Sequence, residues 1–288
     1  MTLAPIVVFA YNRPDHLRQT LEALVKNDLA SESILYIYCD GPKVGASKEV
    51  LARIAEVRSI AHKQSWAKET HIIESDINKG LADSIIDGVT EIVNQYGRVI
   101  VLEDDLVTSA YFLNYMNAAL NFYADRPAVF SIGGYQHSDE KMPIPDDYPY
   151  DTYVSLRASS WGWATWKDRW NRVGWSMDYI PELLKHPYER DAWCRGGDDM
   201  WPMLIQQYEG HINSWAIRFC FVQFREHAVA ILPTHSYVSN IGCDGSGTHC
   251  SATNQGKSTL SSELRIHFVD VLYEDARIIN AFANYYSR

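Results

Sequence analysis

The sequence predicts an α/β chain with a mostly parallel central sheet flanked by helices and a second half fused onto it. Three observations carry this expectation. Short β-branched runs alternate with stretches that place apolar residues at helical spacing. Three of those runs end in polar or acidic residues, at Arg13, at Asp40 and at Glu103 to Asp105. Finally, 47% of the 288 residues are hydrophobic, enough for one large core or two fused halves and too much for a disordered chain.

Taken in order, Pro5-Ile6-Val7-Val8-Phe9-Ala10 is a buried-strand run, and Asn12 or Arg13 ahead of Pro14 starts a helix with Leu17, Leu21 and Leu24 on one face. A second strand, Ile34 to Cys39, ends at Asp40-Gly41-Pro42, and Val50, Ile54 and Val57 follow as a helical stripe. A short strand around His71-Ile72-Ile73 leads through the turn Asn78-Lys79-Gly80 into a helix carrying Leu81, Ile85, Val89 and Ile92. Val99-Ile100-Val101-Leu102 is the next buried strand, and Glu103-Asp104-Asp105 stand at its carboxyl end. The β-α-β-α rhythm calls for parallel strands with right-handed crossovers, which bring the three polar strand ends to one edge.

A helix with Tyr111, Phe112, Tyr115 and Phe122 and a strand from 128 to 132 complete the first half. Residues 133 to 153 mix prolines, glycines and acids without periodicity, which predicts a long loop and a boundary between halves 1–132 and 133–288. Four tryptophans then crowd into Trp161 to Trp170. Trp166 and Trp170 are assigned to the core, whereas Trp161 and Trp163 flank Gly162 in a pre-helix turn, where an aromatic face suits the apolar side of a sugar ring. Gly196-Gly197-Asp198-Asp199 precedes a stripe of Trp201, Leu204, Ile205 and Tyr208. The two acids either cap that helix or, with glycines permitting close approach, serve a ligand. The glycine- and serine-rich stretch from Val238 to His249 reads as a lid that orders on ligand, with His249 either structural or able to reach a metal or phosphate. The tail predicts a helix with Val271, Leu272, Ile279 and Phe282 in the core.

Composition excludes several functions. A formal charge of −10 argues against a general nucleic-acid binder, which needs a basic surface to neutralise phosphates. No GxGxxG or GxxxxGK[ST] loop occurs, which disfavours a dehydrogenase or a P-loop ATPase. The five cysteines are odd in number and form no CxxC pair, so free thiols in a reducing compartment are expected rather than a disulfide framework. No apolar segment approaches the roughly 20 residues of a membrane span, and Met1 to Pro5 carries neither a basic stretch nor a long apolar run, so a cytoplasmic location is expected.

Carboxylates gathered at a strand end repel one another unless a cation or hydrogen-bonding ligand offsets the charge; the alternative is a solvated strand end capping the next helix at Thr108 and Ser109. The ordered set Tyr11-Asn12-Arg13-Pro14, Cys39-Asp40-Gly41, Val99 to Leu106, Trp161-Gly162-Trp163, Asp198-Asp199 and Asn240-Ile241-Gly242 resembles GT-A-fold nucleotide-sugar glycosyltransferases. The likeness is to the N-acetylglucosaminyltransferase I group and to bacterial family 2 enzymes that build surface polysaccharides. It spans residues 5 to 250 and rests on the order and spacing of the motifs together.

The resemblance implies an inverting transferase that moves a hexose or N-acetylhexosamine from a nucleotide diphosphate sugar, UDP-linked, to a glycan or lipid-linked glycan acceptor. It makes 1–132 the nucleotide-sugar half and 133–288 the acceptor and catalytic-base half of one GT-A domain, acting in the cytoplasm with peripheral contact at the inner face of the membrane. Arg13 then matches a nucleotide-contacting arginine, Asp40 the aspartate on the base, and Glu103 and Asp104 the acids that hold ribose and sugar. Asp105 matches the ligand of Mn²⁺ or Mg²⁺; His249, by its place at the end of the glycine-rich loop, is the further candidate metal ligand. Asp198-Asp199 match the pair that supplies the base, and the loop from Asn240 to His249, with Ser246 on it, matches the segment that closes over the donor. A histidine found near the nucleotide in the animal enzymes has no counterpart here, where Gly80-Leu81-Ala82-Asp83 stands.

Two other classes use some of these features. A metal-dependent glycosidase or phosphodiesterase has two acidic sites but needs no nucleotide contacts at Arg13 and Asp40. A carbohydrate-binding module accounts for the tryptophans and leaves the strand-end acids unexplained.

Overall fold

The computed structural model describes residues 2–176, 180, 186–246 and 256–287. Its first strand, β1 (Ile6–Ala10), is buried along its whole length. Ile6, Val8 and Ala10 face one core, with Leu17, Leu21 and Leu24, while Val7 and Phe9 face a second, with Ile85, Val89 and Ile92. A strand covered on both faces has to be apolar at every position, which is why this run shows no alternation.

Helix α1 (Pro14–Leu24) starts with proline in its first turn, and β2 (Ile34–Cys39) pairs parallel to β1. The Ser47 side chain caps α2 (Lys48–Ala61) by accepting from the Val50 N–H, and β3 (Glu69–Glu74) pairs parallel to β2. Gly80 and Gly97, both at positive φ, bracket α3 (Leu81–Tyr96), and β4 (Arg98–Glu103) returns parallel to β1. The expected alternation therefore holds through β4.

Beyond it the order becomes non-local. Among the described residues an eight-stranded sheet runs β3-β2-β1-β4-β8-β6-β9-β7, with β6 (Val129–Gly133), β7 (Thr152–Ser155), β8 (Trp163–Trp166) and β9 (Val229–Pro233). The sheet is mostly parallel; β8 is antiparallel to β4 and β6, and β7 is antiparallel to β9. The pairing of β4 with β8 carries the sheet across the boundary expected at residue 132, so both halves share one sheet. A separate antiparallel ribbon joins β5 (Leu106–Thr108), directly after the three acids, to β10 (Val238–Asn240). Helices α4 (Phe112–Phe122), α5 (Lys167–Trp170), α6 (Pro187–Cys194), α7 (Met200–Tyr208), α8 (Trp215–Arg225) and α9 (Ala276–Tyr286) complete the described elements.

Three expectations are corrected here. Trp163 lies in β8 and not in a pre-helix turn, while Trp166 at the end of the same strand is buried as expected. The C-terminal helix begins at Ala276, and Val271 is 67% exposed, so only Ile279 and Phe282 of the expected stripe are fully buried on it. Cys243 is disulfide-bonded, whereas Cys39, Cys194 and Cys220 are the free thiols among the described residues. No helix among the described residues is long and apolar enough to cross a membrane.

Candidate functional site

Because β1, β2 and β4 are parallel neighbours, their carboxyl ends bring Arg13, Asp40 and Glu103 to Asp105 to one edge. Asp104 and Asp105 are buried, and Arg13 pairs with both, reaching Asp105 Oδ2 at 2.9 Å through Nη2. Burial works against the Arg13 charge, yet the two aspartates outweigh it and hold the guanidinium above its ordinary range. Burial also raises Asp104 to about 6 against the pull of Arg13. Glu103 keeps some exposure as a residue, but burial of its carboxyl, reinforced by Asp105 and Asp104, raises it to about 8. Near neutral pH Glu103 is therefore mostly protonated, and the Asp104 and Asp105 carboxylates share one guanidinium.

The loop after β10 closes on this cluster. Ile241 N–H donates to the Asp105 carbonyl at 2.9 Å, and a Cβ on Gly242 would stand 2.0 Å from Asp105 Oδ2 and 2.9 Å from Arg13 Nη1. Only glycine lets the chain pass that close. Further along, Asp244 Oδ2 lies 3.2 Å from His16 Nε2, and Ser246 donates to Asp244 Oδ1 through its N–H at 2.9 Å and its Oγ at 2.6 Å. Ser246, expected at the donor, is therefore held in a turn on Asp244. His249 lies outside the described residues.

Asp40 is engaged differently from its expected contact with a base. Its carboxylate accepts from the Gly41, Lys79 and Gly80 N–H groups at 2.9, 2.9 and 3.0 Å and from Asn78 Nδ2 at 2.8 Å. Four donors fill the lone-pair sites of a carboxylate, so Asp40 ties the 78–80 turn to the end of β2.

Among the described residues no three His, Cys, Asp or Glu side chains gather into a metal cage. Hard carboxylate oxygens do suit Mn²⁺ or Mg²⁺, and such ions are commonly held by one or two carboxylates with the remaining positions filled by substrate oxygens. The cluster fits an ion held that way, through Asp105, with Arg13 as its competitor for the same oxygen.

The second acidic pair precedes α7. Asp199 stands at the helix start without capping it through its side chain; instead Arg157 Nη1 donates to both of its oxygens, at 2.8 and 2.9 Å. The Arg157 guanidinium also sits 4.1 Å above the Tyr286 ring, and Tyr286 with Asp199 outweighs burial to keep it charged. Gly197, at φ 129°, makes room: a Cβ there would lie 2.7 Å from Asp199 Oδ1 and 2.8 Å from Tyr286 Cβ. Asp198 is exposed, and no ion pair or hydrogen bond engages its side chain among the described residues.

The two tryptophans divide. Trp161 is half-buried and packs edge-on against Tyr135 at 4.6 Å. Trp163, expected as a possible sugar platform, is 1% exposed and stacks on Trp215 and Trp170 at 4.7 and 5.7 Å. Placing it in β8 turns it into the core, so it offers no face to a ligand. From Trp161 a chain of ring contacts runs through Tyr135 and His137 to Tyr286, whose hydroxyl lies 3.1 Å from His137 Nε2, and so to Arg157 and Asp199.

No family model matches the chain. It is similar in sequence to a glycosyltransferase. The Arabidopsis thaliana alpha-1,3-mannosyl-glycoprotein 2-beta-N-acetylglucosaminyltransferase is 23% identical over 195 residues, covering 64% of this chain and 43% of that protein. The chain thus spans less than half the length of this relative. Solved glycosyltransferases align more loosely. Galactosyltransferase LgtC, in complex with donor and acceptor sugar analogues, has a TM-score of 0.38 and 11% identity over 76% of this chain and 70% of that one. Mouse xyloside xylosyltransferase 1 has 0.35 and 12% over 76% and 80%, and S. aureus TarS has 0.32 and 15% over 54% and 26%. At that level of superposition the architecture rests on the strand order itself.

No motif along the chain points to Arg157, Tyr286, His137 or His16. A lone arginine or tyrosine carries no pattern, and these meet their partners across separations such as the 42 residues between Arg157 and Asp199. His137 is buried, and burial followed by the positive charges of Lys141 and Arg157 pushes it down to about 4.

Proposed function

We propose that this chain is a metal-dependent, inverting glycosyltransferase that moves a hexose or N-acetylhexosamine from a UDP-linked sugar to a glycan or lipid-linked glycan acceptor of the kind found in surface polysaccharides. The observation that carries the reading is the convergence of Arg13, Glu103-Asp104-Asp105 and the Gly242 loop at the carboxyl edge of a mostly parallel sheet. Nucleotides bind at that edge in open α/β sheets.

Arg13 binds and orients the nucleotide, with Asp104 fixing its guanidinium. Glu103 and Asp104 hold the ribose and the sugar. Asp40 acts at one remove, by holding the 78–80 turn beside the nucleotide. A divalent cation bound at Asp105 would supply the positive charge that a departing diphosphate needs. Trp161 offers its accessible face to the acceptor, and the loop from Asn240 to Ser246 excludes water above the donor. Asp198, the unpaired member of its pair, takes the proton from the attacking acceptor hydroxyl. Asp199 holds Arg157 and through it the C-terminal helix.

The test is thermal shift against a panel of nucleotide sugars with and without Mn²⁺, followed by mass spectrometry for transfer to acceptors that include α-1,3-mannosyl glycans, the substrate type named for the plant relative. Stabilisation by a UDP-sugar that depends on Mn²⁺, with a product heavier by one sugar, is the expected result. Glycan binding without any nucleotide response would replace the reading with a carbohydrate-binding one.

A further inference from the structure

A cavity of about 330 Å³ lies beyond the Tyr135–Trp161 contact, outside the acidic cluster. It opens where the chain leaves the carboxyl ends of β6 and β9, at Gln136 to Asp139 and Thr234 to Ser236, and its third wall is the segment from 258 to 265. We propose that this cavity is a carbohydrate subsite, which seats a unit of the acceptor glycan next to the unit that receives the transferred sugar. The acceptor assignment rests on the transferase reading; the carbohydrate assignment does not.

The chemistry of the lining selects the ligand class. Among the described residues, seven of the fourteen lining positions are serine or threonine; the hydroxyls of Thr234, Ser236, Ser258 and Ser261 are engaged within the fold, which leaves those of Ser138, Thr259 and Ser262 to a ligand. Hydroxyls both donate and accept, as a sugar's own hydroxyls require. Leu260 is the lone aliphatic side chain among the described lining residues, so an acyl chain finds no apolar surface there. A phosphate is disfavoured as well, because Arg265 is already paired with Glu263, and Asp139 adds a further negative charge. The volume stands at the lower end of the roughly 300–1,000 Å³ typical of small-molecule sites, which fits a sugar rather than a dinucleotide.

The walls are also prebuilt. Ser261 N–H donates to the Ser236 carbonyl at 2.7 Å, Ser258 Oγ to the Gln136 carbonyl at 2.7 Å, and Arg265 N–H to the Tyr237 hydroxyl at 2.9 Å. The cavity is connected to the donor edge. Ser258 N–H donates to Ser239 Oγ at 3.4 Å on β10, the strand that leads into the loop against Asp105, and Gly134 N–H donates to the Gly162 carbonyl beside Trp161 at 2.7 Å.

Two exposed lining residues allow the cavity to be filled without disturbing the core: Thr259→Trp and Ser262→Tyr. Binding of α-1,3-mannobiose and N,N′-diacetylchitobiose is measured by ligand-observed NMR on the full chain, with methyl α-mannoside and inorganic phosphate as controls and UDP with Mn²⁺ as an independent probe. At least one disaccharide is expected to bind more tightly than the monosaccharide. Both variants should weaken it by about tenfold or more while keeping UDP affinity within about twofold. The proposal is overturned if no disaccharide binds, if both correctly folded variants bind it as the parent does, or if phosphate displaces it. Failure of the transferase reading shows separately, as absence of the UDP response and of transfer.

Discussion

Replacing Asp198 and Asp199 separately with asparagine divides proton acceptance from architecture. Asp199 receives both its hydrogen bonds from one Arg157 nitrogen, and that guanidinium is otherwise enclosed by the Tyr286 ring. Asparagine leaves an arginine with 17% side-chain exposure facing a neutral amide. Breaking a fully buried pair costs about 3–5 kcal/mol, and with the Asp199 side chain one-third exposed about 2 kcal/mol is the expected loss. Asp198 is exposed and unpaired among the described residues, so Asp198→Asn should stay within about 0.5 kcal/mol of the parent. Loss of a general base, by contrast, lowers rate by about 10²–10⁴. Urea unfolding and transfer rate at saturating donor, measured on both variants, should therefore give opposite pictures: stable and slow for Asp198→Asn, destabilised for Asp199→Asn. A folded Asp198→Asn protein that transfers at the parental rate, or an Asp199→Asn protein of parental stability, refutes the reasoning.

Three further outcomes follow from the same geometry. Asp105→Ala should remove the Mn²⁺-dependent part of nucleotide binding, as titration calorimetry with and without Mn²⁺ would report, at a stability cost of about 2 kcal/mol for the lost Arg13 pair; metal-dependent turnover at the normal level would contradict it. Gly242→Ala puts a methyl 2.0 Å from Asp105 Oδ2, which forces the loop or the carboxylate aside, and should weaken UDP binding by about tenfold or more; unchanged affinity would mean the loop does not hold this position. His137 titrates at about 4 in the fold and at 6.5 when unperturbed, so the unfolded chain binds the extra proton between those values. Its contribution to stability is therefore complete above pH 6.5 and is lost as pH falls, by about 2 kcal/mol between pH 7 and pH 5. His137→Gln should flatten that part of the unfolding pH profile, and a profile as steep as the parent's would assign the loss to other groups.

The first half of the fold was legible because its information is local. Each strand through β4 is a short apolar run next to its own amphipathic helix, and a right-handed crossover leaves parallel neighbours as the outcome, which brings Arg13, Asp40 and Glu103 to one edge. Gly197 reads as a point of close approach and stands against the Asp199 carboxylate, whereas Gly242, which reads only as part of a lid, passes against Asp105. Pairing with distant partners decided the remainder. Trp163 belongs to the core because β8 inserts between β4 and β6 and turns that indole toward Trp215, a choice that aromatic composition does not encode. Asp40 and Asp199 looked like ligand groups in sequence because carboxylates beside glycines look alike whatever accepts their charge. Only the tertiary structure brings Asn78, Lys79 and Gly80 onto the first and Arg157 onto the second, and in doing so leaves Asp198, among the described residues, as the unpaired acid of the two.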